Sequence, residues 1–431
     1  MIERGMSDQS KVMDSSPASA TPSRSAQIRP LANRNFRLLW IGENVSLFGD
    51  QFYFIALPWL VFQMSGSMLA FGALLMVEGI PRAVFMLIGG VVTDRFLPRT
   101  VMIVSNSLRL GITVLLTLIV AGQMVQLWML YVIAFGFGVV DAFFHPAYRA
   151  MIPIIVDQDN LQASNSLMQA ASQTVQIVGP GVAGMVVRSV GIALSFAFDA
   201  STFLFTSILL YMMRPIAIPP KPIEPEATPK RAGILAEIGE MLIYIRSDKL
   251  LMTLILVVAA INLLFVGPLV VGSAALSKIR FAEGSAAYGA MLSTFSIGAL
   301  IGTLTAGAVR LKQAGTISLL LVAAEGVFMV GVGYAPTLSL ACGLWLLIGL
   351  GAGFGSLNFI TLTQQRVAKD LMGRFMSLIV LTEVGLAPIS NALAGVLADL
   401  NVTMLFVVAG MLLTLTALLA AMNSNLRPSE A

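Results

Sequence analysis

The chain has 431 residues, of which 57% are hydrophobic and only 11% charged, where ordinary soluble domains carry about a quarter charged residues; that composition excludes a soluble globular protein. Lys and Arg outnumber Asp and Glu by 26 to 22. The excess is scattered between apolar runs, so it is a topology signal and gives no support to nucleic-acid binding. A single cysteine, Cys342, excludes an internal disulfide and a Cys-based metal site.

In chain order, residues 1–32 are rich in Ser, Pro and polar side chains and have no apolar core. They are expected to be a disordered tail, neither signal peptide nor span. Apolar runs follow, each able to supply the roughly 20 helical residues that cross a ~30 Å hydrocarbon layer. They lie near 36–62, 69–92, 101–121, 127–147, 164–187, 192–212, 250–275, 286–309, 315–334, 338–364, 374–397 and 402–422. The runs are continuous, with no period-2 alternation, so a transmembrane β-barrel is excluded and the spans are helices. The fold class is an all-α integral membrane protein with twelve transmembrane helices.

Between spans six and seven, "RPIAIPPKPIEPEATPKR" is too proline-rich and charged to cross a membrane, and "ILAEIGEMLIYIRS" after it is amphipathic. This linker, 214–249, divides a six-helix bundle at 33–213 from a second at 250–423, with a short tail at 424–431. Basic residues concentrate on one side of the spans: Arg34 and Arg37, Arg95 and Arg99, Arg149, Arg310 and Lys312, Arg366, Lys369 and Arg374. The positive-inside rule places that side, and both termini, in the cytoplasm.

Offsetting the chain by 217 residues aligns "AFGALL" with "AYGAML", Gly90 with Gly307, Trp128 with Trp345, Gly136 and Gly138 with Gly353 and Gly355, and Arg149 with Arg366. The two bundles are therefore expected to be parallel repeats about a pseudo-two-fold axis along the membrane normal. That plan belongs to transporters that bind substrate between halves and rock between two openings.

The turn after the second span, "GGVVTDRFLPRT", resembles the signature of the major facilitator superfamily, with Gly90, Asp94, Arg95 and Arg99 matching it and Leu97 and Pro98 departing from it. Within that superfamily, "NRNFRLLWIGENVSLFGDQFYFIALPWLV", "DAFFHPAYRAMIPIIVDQDNLQASNSL" and "MGRFMSLI" are similar to a bacterial drug and siderophore exporter branch that includes macrolide-efflux and enterobactin-exporter-like proteins. The resemblance implies that Asp94 docks on the amino end of span eleven, near Gly373, and latches the cytoplasmic side. "GPGVAG", with Gly179, Pro180 and Gly184, is similar to an antiporter motif, with Ala183 in place of one glycine. Pro180 removes a helical hydrogen bond and the glycines permit close helix approach.

An ionisable residue inside a span costs at least about 2.5 kcal/mol and faces a cavity or a partner. Asp50, in the middle of span one, is the first candidate for proton coupling, followed by Glu78, Glu383 and Asp141. Glu78 and Arg82 stand one turn apart on one face and can neutralise each other. A switch of Arg82 to Glu383 across the halves would make a rocking latch. Arg109 is expected to reach Glu43, as a structural pair. Asp199 and Glu325 fall in spans that this fold places at the periphery. Phe52, Tyr53, Phe143, Phe265, Phe354 and Phe359 are expected to line a substrate cavity and to stack on a bulky amphiphile.

No H-x-x-x-H, Cys cluster, G-x-S-x-G or phosphate-binding loop occurs, so neither an enzyme nor an ATP-driven pump is expected, and no metal or cofactor. The expected function is proton-coupled export of amphiphilic small molecules by a monomer in a bacterial inner membrane, in contact with membrane lipid. The alternatives are an importer or lysophospholipid-type transporter on the same fold, and a non-transporting sensor.

Overall fold

The computed structural model describes residues 28–214, 244–246, 248–308, 314–367 and 371–422. The expected tail up to residue 27, most of the linker, the 309–313 turn and the last nine residues lie outside the described residues. So does the side chain of Asp94.

The twelve spans follow the order read from the sequence. Spans one to six are Arg34–Ser65, Met68–Arg95, Pro98–Ala121, Leu127–Ile155, Gln158–Val190 and Ile192–Met212. Span seven is built from Lys249–Leu264, a π-helical turn Pro268–Gly272 and Ser273–Arg280. Spans eight to twelve are Ser285–Ala308, Ala314–Tyr334, Leu338–Arg366, Met372–Leu400 and Val402–Ala421. Among the described residues, eleven helices are long and apolar enough to cross a membrane. The exception is span five, whose first half reads "QDNLQASNSLMQAASQTVQ".

Local chemistry sets the joints. Asn33 caps span one by accepting from the amides of Asn35 and Phe36, and Gly66 ends that span at φ 67°, a left-handed conformation that glycine adopts without penalty. Ser67 caps span two through the amide of Ala70. Gly191, at φ 93°, joins spans five and six. Span seven loses its regular ladder where Pro268 lacks an N–H. There the amide of Gly267 donates instead to Ser390 Oγ of span eleven at 2.8 Å, and Gly267 lies against the backbone of that span.

Helix order repeats between the halves: span two packs on span four as span eight packs on span ten, and span three on span six as span nine on span twelve. The 217-residue offset holds at the start of spans two and eight, Met68 and Ser285, but not at spans four and ten, which begin at Leu127 and Leu338. Trp128 sits exposed at the start of its span, whereas Trp345 is fully buried well inside its own. The sequence matches in spans four and ten are thus not structural equivalents. Span three and the connection after it are both longer than span nine and its counterpart, which moves the register.

Peripheral spans turn exposed Leu115 and Leu118, Leu204 and Ile208, and Leu415 and Leu419 outward, forming the apolar surface that lipid would cover. The interior has an uneven plan. One buried core runs through both halves at the end of the molecule away from the chain termini, joining Leu57, Leu60, Phe71 and Val187 to Phe281, Tyr288, Met291 and Ala398. Toward the termini it divides. Phe36, Met102, Phe144 and Met151 form a core of the first half alone, and Leu251, Leu254 and Phe375 one of the second.

Candidate functional site

The seam between the halves is made by spans two and eleven on one side and five and eight on the other. At the far end, away from the termini, both pairs are sealed by glycine. A Cβ on Gly72 would strike the Asn391 carbonyl, one on Gly395 the Met68 carbonyl, one on Gly289 the Pro180 carbonyl and one on Gly184 the Ser285 carbonyl. Of the glycines of "GPGVAG", Gly184 serves backbone-to-backbone contact across the seam, Gly181 faces Ser293 of span eight, and Gly179 makes room for Gln51 of span one within the same half. Ser285 Oγ donates to the Gly184 carbonyl at 3.0 Å and the Gly181 amide to Ser293 Oγ at 3.0 Å.

Side chains close the same end. Trp59 stacks on Tyr288 with ring centroids 5.9 Å apart, and Lys278 lies 5.2 Å over the ring of Phe62. Asp399, near the end of span eleven, accepts from the Ser67 hydroxyl and from the amides of Met68, at 2.5 Å, and Leu69, at 3.1 Å. A carboxylate thus sits on the amino end of span two, where the helix dipole stabilises it.

Near the termini the seam is open. Among the described residues, a Cβ on Gly90, Gly373 or Gly385 would meet no atom within 4 Å. A cleft of ≈ 1090 Å³ separates the first half of span five from Leu300 and Thr303 of span eight. Arg95 is exposed, and Arg99 donates to the carbonyls of Leu210 at 3.0 Å and Tyr211 at 2.9 Å. Arg99 thereby ties the turn to the carboxyl end of span six, a favourable place for a cation.

Most of the buried charge belongs to the first half. Arg82 of span two bridges Glu78 Oε1 at 2.6 Å and Asp141 Oδ2 at 2.7 Å, and Arg109 of span three pairs with the other oxygen of Asp141. The expected Arg109–Glu43 pair is therefore not formed: the partner of Arg109 is Asp141, one layer away on span four. Arg109 also lies 4.1 Å over the Phe144 ring, and Glu43 Oε2 is buried without a hydrogen-bond partner among the described residues. Tyr53 donates to Glu78 Oε2 at 3.5 Å while stacking on Phe137.

Asp50 makes no hydrogen bond or ion pair with another described residue. Arg109 and Arg82 act on it electrostatically from spans three and two. Asp199 is fully buried, both carboxylate oxygens without a hydrogen-bond partner among the described residues and one of them close to Gly49 beside Asp50. Glu383 of span eleven faces Glu78 and Arg82 across a cavity of ≈ 300 Å³. The pieces of an Arg82 exchange are thus near one another, with Arg82 held by Glu78 and Asp141. His145 contacts the edge of Phe144.

A family model described as transmembrane secretion effector, within the major facilitator transporters, matches residues 25–431. The chain belongs to this family. As a major facilitator protein it is a transporter and not an enzyme. It is 27% identical over 367 residues to the multidrug efflux pump Tap of Mycolicibacterium fortuitum, covering 81% of this chain and 86% of that protein. It is 24% identical over 408 residues to macrolide efflux protein A of Streptococcus pyogenes, covering 91% and 96%. The fold matches the crystal structure of a bacterial homologue of the iron transporter ferroportin in an inward-facing state, at TM-score 0.67 and 16% identity, covering 90% and 99%.

The aromatic residues expected to line a substrate cavity lie in different surroundings in this major facilitator structure. Phe52, Tyr53 and Phe265 are buried in the core shared by the halves. Phe143 lines an apolar groove with Val101 and Leu108, and Phe359 packs on the core of the second half. Phe354 is half-buried. Two features had no place in the sequence reading. One is Asp399; its signal was an acid at the carboxyl end of a helix, where its own dipole disfavours it. The other is the amide-rich face of span five, whose signal was low hydropathy within a required span.

Proposed function

We propose that this chain is a proton-driven exporter of amphiphilic small molecules, acting as a monomer in a bacterial cytoplasmic membrane with both termini in the cytoplasm. The observation that carries this reading is the divided core: the halves are joined at the far end and separated toward the termini, as one of two alternating openings requires. Efflux relatives, and the basic residues at the termini end, support export from the cytoplasmic side.

Asp50 is the residue assigned to proton coupling. Arg82 and Arg109 are engaged by Glu78 and Asp141, so Asp50 has no ion-pair partner of its own and must spend part of the cycle neutral. Protonation from outside would release it from the field of the two arginines, and deprotonation inside would restore it. Proton entry can thereby be exchanged for substrate exit.

The test is uphill movement of a fluorescent amphiphile in oriented proteoliposomes under an imposed pH gradient. Wild type accumulates the probe in the export direction. Asp50→Asn, fixed as the neutral form, abolishes accumulation but keeps downhill exchange. Uphill export by Asp50→Asn with an unchanged pH profile moves the proton site to Glu78, Glu383 or Asp141, and flux in the opposite sense makes the protein an importer.

A further inference from the structure

Span five is the only one of the twelve spans that fails the apolar criterion among the described residues, and the reason is a stripe of amides. Gln158, Gln162, Asn165, Gln169 and Gln173 recur at spacings of three and four, so they share one helical face. That face lines the ≈ 1090 Å³ cleft between the halves, opposite Thr303. None of the five amide side chains hydrogen-bonds another described residue, whereas hydroxyls on the same helix satisfy themselves locally: Ser166 on the Gln162 carbonyl at 2.9 Å and Thr174 on the Ala170 carbonyl at 2.9 Å. The amides therefore hold their donors and acceptors out into the cleft.

The chemistry of this wall is specific. Each amide offers one acceptor and two donors, and no residue lining the cleft is charged. Leu161, Ile177 and Leu300 add apolar surface beside the amides. A cation entering here would meet no carboxylate and an anion no base, so either would give up hydration without a compensating charge. An uncharged molecule carrying several hydroxyl groups on an apolar body would find mixed donors and acceptors for the first part and a surface for the second. The cleft volume, ≈ 1090 Å³, lies just above the roughly 300–1,000 Å³ typical of ligand pockets. Stacking aromatics, the usual counterpart of a planar cation, are absent from its lining.

We infer that the amide face of span five is the substrate-recognition surface, and that the substrate class is uncharged, polyhydroxylated amphiphiles of the glycoside type. The inference rests on the export reading above and deepens it. Gln162, Asn165 and Gln169 act as specificity-determining residues at the centre of the stripe. They stand on the same span as the seam glycines Gly181 and Gly184, so the rocking that opens the far end also acts on the helix that holds this face.

The experiment compares two probes that differ only in head group, a fluorescent dodecyl maltoside and a fluorescent dodecyl trimethylammonium, in oriented proteoliposomes under a pH gradient. Wild type is expected to export the maltoside in preference to the ammonium. The double variant Gln162→Leu, Gln169→Leu should lose at least tenfold of maltoside export while remaining monodisperse. Gln169→Glu, a near-isosteric change, should move the preference toward the ammonium, a gain that a structural role would not produce. Undiminished maltoside export by the double variant, or a wild-type preference for the ammonium probe, overturns the inference and leaves export standing. Wild type that moves neither probe in either direction overturns both.

Discussion

The two ends of the seam between spans two and eleven solve one problem with opposite results. These spans run antiparallel, so at each end the carboxyl terminus of one helix meets the amino terminus of the other. At the far end the contact is made: Asp399 of span eleven rests on the Ser67 hydroxyl and two amides opening span two. At the termini end the corresponding acid is Asp94, four residues after Gly90, and the helix start it would meet leaves Gly373 exposed, with open space where a Cβ would stand. The comparison teaches that a transporter of this kind can carry one latch per opening, each a carboxylate on a foreign helix dipole.

The largest effect is expected from breaking the closed end by volume. A side chain at Gly289 must displace the Pro180 backbone rather than a flexible side chain. Overpacking of this kind costs about 1–3 kcal/mol, which falls on the far-closed state, where the contact is made. Gly289→Leu should therefore shift the protein toward the far-open state and slow turnover by an order of magnitude or more. Spin labels at Gln123→Cys and Pro336→Cys, on far-end loops of opposite halves, in a Cys342→Ser background, would read the separation by pulsed EPR. An unchanged distance distribution would refute the seal.

Next comes the far latch itself. Asp399→Ala removes a charged acceptor from the helix amino end, worth up to about 2 kcal/mol in a partly buried setting. The same spin labels should show the far-open population raised by about tenfold. Asp399→Asn, which keeps an acceptor and drops the charge, should fall between.

The termini latch gives a smaller shift of opposite sign. Asp94→Asn should favour the termini-open state already dominant here, by about 0.3–1 kcal/mol for an exposed site, and slow transport while leaving insertion to Arg95 and Arg99. Combined with Asp399→Ala it should return the distance distribution toward wild type, since distant and independent sites add. Two variants that shift the equilibrium in the same direction would break the comparison.

Much of this seam was legible in the sequence, and the missing part has physical causes. Eleven spans announce themselves because lipid-facing surface such as Leu115 and Leu415 needs unbroken apolar runs. Gly184 and Pro180 of "GPGVAG" were recognisable because close helix approach tolerates no larger residue at Gly184. Partner choice was not: Arg109 lies between Glu43 and Asp141, and only the rotation of span four decides for Asp141. The surroundings of the aromatic residues were hidden for a related reason, since a ring facing a cavity and a ring facing a neighbouring helix leave the same pattern in one dimension. Asp399 and the span five amides were visible as residues that their own helix disfavours, an acid at a carboxyl end and amides in a membrane span. Such local conflicts are where a partner outside the helix should be sought.

The smallest predicted effect sharpens the comparison by testing whether charge at the far end matters apart from the latch. Lys278, exposed at the end of span seven, holds its ammonium 5.2 Å over the ring of Phe62 in the other half. A cation over an aromatic face at an exposed site contributes about 0.5–1 kcal/mol, and no carboxylate pairs with this lysine among the described residues. Lys278→Gln removes the charge and keeps most of the apolar stem, so the far-open population should rise about two- to fivefold, less than for Asp399→Ala. Lys278→Arg should restore the wild-type distribution, because a guanidinium serves the ring at least as well. Phe62→Leu should reproduce Lys278→Gln, and the double variant should add nothing to either. An additive double variant would mean that Lys278 acts on the membrane surface and not on the seam, leaving Asp399 as the sole electrostatic contact that distinguishes the closed end from the open one.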